Sequence, residues 1–276
     1  MLTTKVNDQN FKVELQSPYP VSIDAIQFYQ KNGYIKLKNV LGPELLKYYG
    51  DIITDWVFKL NKLTKPMEAR TTYEKAFLQV MNLWRENDII REFVFSRRLA
   101  QIAAELMQVD GVRLYHDQAL YKESSGGITP WHADQFYWPL SNPNTVTVWV
   151  PLQEVPMEMG PLAFAEASQV VEIGRDKEIS DESEALLTSA LKQFTINEEP
   201  FDLGEVSFHA GWTYHRAGAN ASNKPRKVMT IIYMDKDIRI VEPNNPFREK
   251  DWQTWLDEKL VGSIADSHLN PILFQK

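Results

Sequence analysis

Apolar positions recur at a helical period through the first hundred residues and at an alternating, strand-like period after Gly111. In "SIDAIQFYQKNG" the apolar residues Ile23, Ile26 and Phe28-Tyr29 fall on a helical face, Ser22 suits an N-cap, and Gly33 is a stop. The short run "YIKLKNV" reads as a strand. "GPELLKYYGDIITDWVFKL" opens with Pro43 in the first turn, where a missing N–H costs nothing, and keeps a helical stripe. From about Tyr73 to Met107 the pattern predicts two or three further helices, "SRRLAQIAAELM" being the clearest.

The segments "VRLYHDQALYKE", "TVTVWVPLQEV", "FDLGEVSFHA" and "KVMTIIYMDKDIRIV" are β-branched and aromatic, with Gly, Pro, Asn and Ser clusters between them. Several short strands in succession predict a sandwich or barrel rather than alternating βα units. "FREKDWQTWLDEKL" returns to helix, with Trp252, Trp255, Leu256 and Leu260 on one face. There is no internal repeat, low-complexity stretch or linker-like shift in composition. The pattern therefore predicts one domain over 1–276, of α+β class with a mainly β core. Its helical part is expected at about 20–108, its β core at about 111–240 and a C-terminal helix at about 246–262.

Composition narrows the function. A chain of 276 residues with 43% hydrophobic content can bury a sizeable core. Its net charge of −7 argues against nucleic acid or an anionic membrane as the main partner. With no cysteine, disulfides, thiolate metal sites and cysteine nucleophiles are excluded. The opening "MLTTKVNDQNFKVELQ" lacks the apolar centre of a signal peptide, and no run approaches 18 apolar residues, so a cytoplasmic protein is expected. In that setting Asn220-Ala221-Ser222 fits a glycosylation acceptor only by coincidence.

Within "TPWHADQFYW", His132 and Asp134 stand two residues apart, and on a strand they would share a face. With five histidines and 37 acidic residues, such a pair arises by chance often enough to carry little weight alone. A third ligand has four candidates. His268 lies in a polar C-terminal segment; His116 is followed by Asp117, and the two cannot both face one site. His209 and His215 share "SFHAGWTYHRAGAN"; His209 is expected to pack near the preceding turn, whereas His215 ends a strand before a Gly/Asn/Ser-rich loop. Two imidazoles and one carboxylate on one side of an ion leave three adjacent positions open, as in non-haem Fe(II) oxygenases. A structural zinc site would close its shell instead. Eleven residues after His215, Arg226 begins the next strand, where its planar fork could grip a carboxylate. Read alone, beside Lys224 and Lys227, it would be a solvated loop arginine.

In this order, "WHADQFYWPL", "VTVWVPLQEV", "GPLAFAEAS", "GEVSFHAGWTYHRAGANAS" and "PRKVMTIIYM" resemble the phytanoyl-CoA dioxygenase-like family of Fe(II)/2-oxoglutarate oxygenases over roughly residues 111 to 240. The resemblance implies a double-stranded β-helix (a jelly roll) with helices packed outside. It implies iron ligation by His132, Asp134 and His215, and pairing of Arg226 with the distal carboxylate of 2-oxoglutarate. Gln118 and Lys122 match a Gln and Lys on the strand before the iron motif, and Trp149 and Gly160 match a tryptophan and the glycine of a GPL turn. The implied cofactors are Fe(II), 2-oxoglutarate and O2, and the implied reaction is substrate hydroxylation coupled to decarboxylation of 2-oxoglutarate to succinate.

Several positions depart from the family pattern. Arg216-Ala217 stands where Gly-Ser is common, Ala167-Ser168-Gln169 replaces the motif after the GPL turn, and Ala133 occupies the middle of the iron motif. Asp134 is retained, which disfavours halogenation, because halogenases of this kind open that position for halide. Two rivals use the same ligands: a metal-binding jelly roll without turnover, and a zinc hydrolase, for which no general base is evident. An acyl-CoA substrate would use basic residues at the mouth, and Lys122, Arg175, Lys177 and Arg216 are available but scattered. A small amino-acid-like or natural-product molecule fits the aromatic run Phe136, Tyr137 and Trp138 at least as well, two of the three being expected to pack and one to meet substrate. Ser124–Gly127 and Arg175–Ala185 are candidate mobile flaps.

Overall fold

The computed structural model describes residues 2–276. The helical half runs α1 (Leu2–Gln16), α2 (Ile23–Asn32), β1 (Tyr34–Leu37), α3 (Pro43–Leu60), α4 (Thr72–Ala76), β2 (Leu78–Met81), α5 (Asp88–Val94) and α6 (Arg97–Met107). Ser22 caps α2 through the Ala25 N–H, and Gly33 ends it at φ 78. Ser96 and Asn87 cap α6 and α5 in the same way. The β half runs β3 (Gly111–Lys122), β4 (Thr129–His132), β5 (Thr145–Pro151), β6 (Leu162–Ala165), α7 (Asp181–Ala190), β7 (Ile196–Glu198), β8 (Val206–Ala210), β9 (His215–Ala217), β10 (Arg226–Asp235), α8 (Pro246–Trp255) and β11 (Ile272–Gln275).

The strands form two antiparallel sheets. The larger has the order β1-β8-β5-β10-β3-β11, with β2 also paired to β3; the smaller has the order β4-β9-β6-β7. This is a jelly-roll core with helices outside. Alternation decides which side chain faces which layer. Val146, Val148 and Val150 of β5, Val206 and Phe208 of β8, and Met229, Ile231 and Tyr233 of β10 join one core with Leu45, Ile53, Leu99 and Ile102 of the helices. The residues between them face the smaller sheet, where Trp149 and Val228 pack with Leu162, Phe164 and Ala217.

On β3 the alternation is interrupted. Ile232 pairs with His116 but its neighbour Tyr233 pairs with Leu114, so Tyr115 is the extra residue of a bulge. Beyond it, His116, Gln118 and Leu120 all line the inner cavity, while Val112 and Leu114 belong to the helix-side core. Buried Asn270 caps this bulge, its amide donating to the carbonyls of Leu114 and Tyr115, both at 3.1 Å.

Some elements differ from those the pattern predicts. The C-terminal helix stops at Trp255 rather than near 262, because Asp257 and Glu258 take left-handed backbone conformations (φ 56 and 50); Leu260 is consequently exposed. The segment at 73–107 contains β2 as well as helices, and α1 and β11 lie outside the expected elements. Four-residue strands such as β2 and β11 have too few positions for a period to show. Asn220 is buried, and its amide donates to the carbonyls of Lys122, Glu123 and Lys224, tying the β3–β4 loop to the approach to β10.

Asn270→Ala removes the hydrogen bonds to two buried carbonyls at the bulge and should cost about 2–6 kcal/mol, at roughly 1–3 kcal/mol for each group left unsatisfied. Urea denaturation should show a lower midpoint with an unchanged slope.

Candidate metal centre

In the smaller sheet β4 and β9 are neighbours, and His132 lies directly opposite His215 in the register with the ring centroids 4.2 Å apart. The chain leaves strand conformation immediately afterwards. Asp134 begins a single 3-10 turn, Asp134–Tyr137, so the shared face of a strand is not what joins it to His132. The Gln135 N–H donates to the Gly211 carbonyl at 2.9 Å and pins the turn to the loop before β9. The turn brings Asp134 Oδ1 to 3.5 Å from His132 Nε2 and 3.7 Å from His215 Nε2.

Hydrogen bonding sets the tautomer of both rings. His132 Nδ1 lies 2.7 Å from the Pro130 carbonyl, and His215 Nδ1 lies 3.0 Å from the Thr213 carbonyl. A carbonyl can only accept, so each Nδ1 carries the hydrogen and each Nε2 presents a lone pair. Asp134 divides its two oxygens. Oδ2 accepts from Thr147 Oγ1 at 2.7 Å and faces His209 Nε2 at 3.3 Å, which leaves Oδ1 for the two imidazoles. One ligand atom from each of His132, Asp134 and His215 lies within 4.8 Å of the others, a set able to hold a divalent ion from one side.

Burial by itself would raise the Asp134 pKa. The surrounding histidines, His215 first and then His132 and His209, outweigh it and hold the carboxyl well below its usual range. Burial, followed by the like charges of His132 and His209, holds His215 well below the usual imidazole value. Both shifts favour the forms that bind metal, a carboxylate and a neutral imidazole.

His209 was expected near a turn; it lies instead on β8 against Asp134, 4.2 Å from the His215 ring. The signal was the alternation itself. If Val206 and Phe208 face the helices, His209 faces the cavity, but the sequence does not say which face is which. His116 also faces the cavity, with Asp117 turned away to accept from the N–H groups of Leu83 and Trp84. His268 is exposed, near Asp257.

Arg226 enters the same cavity from the first position of β10. It is 1% exposed, lies over the Trp149 ring with its central carbon 5.3 Å from the centroid, and donates from Nη1 to the Gly160 carbonyl. Its Nε has no partner. Burial pulls it down to about 9, still charged at neutral pH, and no carboxylate lies within ion-pair distance among the described residues. Gly160 is required beside it: φ is +66, and a Cβ would collide with the Gly218 carbonyl. Such a cradle fits a small dicarboxylate.

Lys122, the register partner of Arg226, is buried with its ammonium on the Gly127 carbonyl and 3.3 Å from Thr129 Oγ1. It does not line the cavity; burial, then the charges of Arg226 and Arg216, pulls its pKa down to about 6. Gln118 does line it and accepts from Gln79 Nε2 at 2.6 Å.

The cavity holds about 430 Å³. Its walls carry Tyr73, Phe77, Tyr137, Trp138, Phe247 and Trp255, together with Glu178 and Ile179 from the second expected flap. That flap is tied down where Tyr137 Oη accepts from the Ile179 N–H at 3.0 Å. The first is held by the Gly127 N–H to the Lys75 carbonyl at 2.9 Å. Of the aromatic run, Phe136 packs on Phe247, while Tyr137 and Trp138 face the cavity, so two rather than one are placed to meet substrate.

Among known families, the phytanoyl-CoA dioxygenase profile matches residues 29–228. No curated protein sequence matches the chain. Among solved structures, the non-haem α-ketoglutarate-dependent carbocyclase SnoK of nogalamycin biosynthesis aligns with a TM-score of 0.76 at 22% identity, over 93% of this chain and 99% of its own. The epimerase SnoN, in complex with Fe3+, α-ketoglutarate and nogalamycin RO, aligns at 0.75 with 24% identity, over 90% and 97% of the two chains. EctD from S. alaskensis, with 2-oxoglutarate and 5-hydroxyectoine, aligns at 0.66 with 16% identity, over 85% and 86%. At these identities the likeness is one of fold.

Thr147→Val removes the hydrogen bond that orients Asp134 Oδ2 and should weaken divalent-metal binding about tenfold, the low end for loss of a group that supports a ligand. Asp134→Ala should abolish binding. Anaerobic calorimetric titration with Fe(II), on variants of unchanged circular dichroism, measures both.

Proposed function

Because the chain belongs to the phytanoyl-CoA dioxygenase family and is an iron- and 2-oxoglutarate-dependent oxygenase, we propose that it hydroxylates a small organic substrate using His132, Asp134 and His215 as iron ligands and Arg226 as the anchor of 2-oxoglutarate. Iron held by His132, Asp134 and His215 would supply O2 activation coupled to conversion of 2-oxoglutarate to succinate and CO2, with one oxygen atom going to succinate and the other to a C–H bond of the substrate.

The chain's own residues orient, bind and exclude water. Pro130 and Thr213 hold the two histidines with Nε2 forward, and Thr147 and His209 hold the outer carboxylate oxygen so that Asp134 binds through the other. The Trp149 ring and the Gly160 carbonyl fix the plane of the Arg226 fork before any ligand arrives, which lowers the entropy lost on binding. The hydroxyl absent at Ala217 has a neighbouring substitute. Thr129 is the register partner of Ala217, lines the cavity, and accepts from Lys122, which leaves its own hydrogen free to donate. The aromatic walls keep bulk water from the reacting end.

The observation that carries this reading is the buried charge of Arg226. A guanidinium with an unpartnered Nε and no carboxylate beside it is destabilising unless a ligand completes it. The same feature disfavours a metal-binding module without turnover, and a zinc hydrolase has no use for it. An acyl-CoA substrate is disfavoured because the candidate basic residues are engaged elsewhere. Arg216 pairs with Glu184 and Lys177 with Glu182, each at 2.7 Å; Arg175 donates to the carbonyls of Val171 and Gln169, and Lys122 is buried.

Anaerobic addition of Fe(II) and 2-oxoglutarate should produce the weak visible charge-transfer band of a chelated 2-oxo acid. Arg226→Ala should raise the 2-oxoglutarate concentration needed by about 100-fold, as loss of a charge-assisted bidentate pair implies, while leaving Fe(II) affinity unchanged. Arg226→Lys should not restore it, because a point charge cannot reproduce the fork. Iron binding without a band in the wild-type protein would overturn the reading.

A further inference from the structure

We propose that the substrate carries a protonated amine or another cationic nitrogen, and that Asp251 seats it in the aromatic end of the cavity. This deepens the oxygenase reading and rests on it only for the reaction at the cavity's other end.

Asp251 belongs to α8 and lines the cavity. Its Oδ2 accepts from the Tyr115 hydroxyl at 2.9 Å, and the Trp255 side chain lies beside it. Both neighbours are neutral. Tyr115 reaches it because, following the helix-side Leu114, it faces the inner side and packs there with Trp138 and Ile232. Three residues before Asp251, Arg248 forms no ion pair with it and donates instead to the carbonyls of Phe136 and Gln135 and to Asn244 Oδ1. Lys250 also lines the cavity, but it is exposed and forms no ion pair with Asp251. The carboxylate is therefore held in place without charge compensation, and burial drives its pKa up to about 7 against the opposing effects of Tyr115, Lys250 and Trp255.

The surroundings select the kind of group that would compensate it. Tyr73, Tyr137, Trp138, Phe247 and Trp255 give this end an aromatic lining, and Tyr137 and Phe247 lock each other edge to face at 90°. Aromatic faces beside a carboxylate favour an organic cation over a neutral group of the same shape. Glu178, on the opposite lip, adds a second negative charge, so with Lys250 the balance at this end remains negative and works against an anionic substrate. Asp134, Tyr73 and Asp251 all line one cavity of about 430 Å³, so a single small molecule can extend from the metal ligands to this carboxylate.

The test compares three probes of one shape, benzylammonium, benzyl alcohol and benzoate, by calorimetric titration into protein loaded anaerobically with Fe(II) and 2-oxoglutarate. Benzylammonium should bind at least about tenfold more tightly than benzyl alcohol, and benzoate most weakly. Asp251→Asn should remove that preference while leaving the charge-transfer band intact. Tyr115→Phe, which keeps the charge but loses its orienting donor, should reduce it. Asp134→Ala, which lacks the iron ligand, should still prefer benzylammonium, so failure of the iron assignment and failure of this one give different patterns. Equal binding of the ammonium and the alcohol, including no binding of either, or a preference that survives in Asp251→Asn, would overturn the proposal.

Discussion

Strand alternation beneath a helical layer is the constraint on which the site depends. The helices bury one face of the large sheet, so every second residue of β5, β8 and β10 is committed to that core. The remaining positions have only the inner side available, and it is there that Thr147, Trp149, His209, Arg226 and Thr230 converge. A one-residue slip of β5 or β10 would exchange core residues such as Val148 or Met229 for site residues. The apolar burial that stabilises the sheet therefore also sets the register of the chemistry.

Within that frame the metal centre is assembled by backbone carbonyls and by side chains that do not ligate. Neither histidine chooses its tautomer alone; Pro130 and Thr213 choose it by offering only acceptors. Asp134 sits on a short 3-10 turn, a less regular support than a strand, and its direction comes from Thr147 and His209 on the opposite sheet. The site thus straddles both sheets. Its ligands are carried on the small sheet and the turn after it, and their orientation comes from the large one.

Arg226 and Asp251 present the same physical situation with opposite signs. Each is an ionisable group held in place by neutral groups, Arg226 buried and Asp251 partly buried, and each faces one shared cavity. Left unpaired, such groups cost stability, and both are restrained by well-packed neighbours, Trp149 and Gly160 for one and Tyr115 and Trp255 for the other. The cavity is thereby polarised, positive where 2-oxoglutarate is proposed to bind and negative where the substrate is proposed to enter.

Much of this was legible in the residues. The change from helical to alternating periodicity at Gly111 located the β core, and Ser22, Gly33 and Pro43 marked helix ends because capping is a local interaction. Ordered motifs located His132, Asp134, His215 and Arg226, which the fold brings into one cavity. The sequence by itself determined which residue types were available and the period at which each segment repeats. The tertiary structure alone decided the rest: that the bulge at Tyr115 turns His116 inward, that α8 ends at two left-handed residues, that His209 stands behind Asp134, and that Asp251 reaches the cavity. The physical reason is that period and capping are set by neighbours a few residues apart, whereas the face a strand buries and the partner a charge finds depend on residues up to about a hundred or more positions away, as with Tyr115 and Asp251.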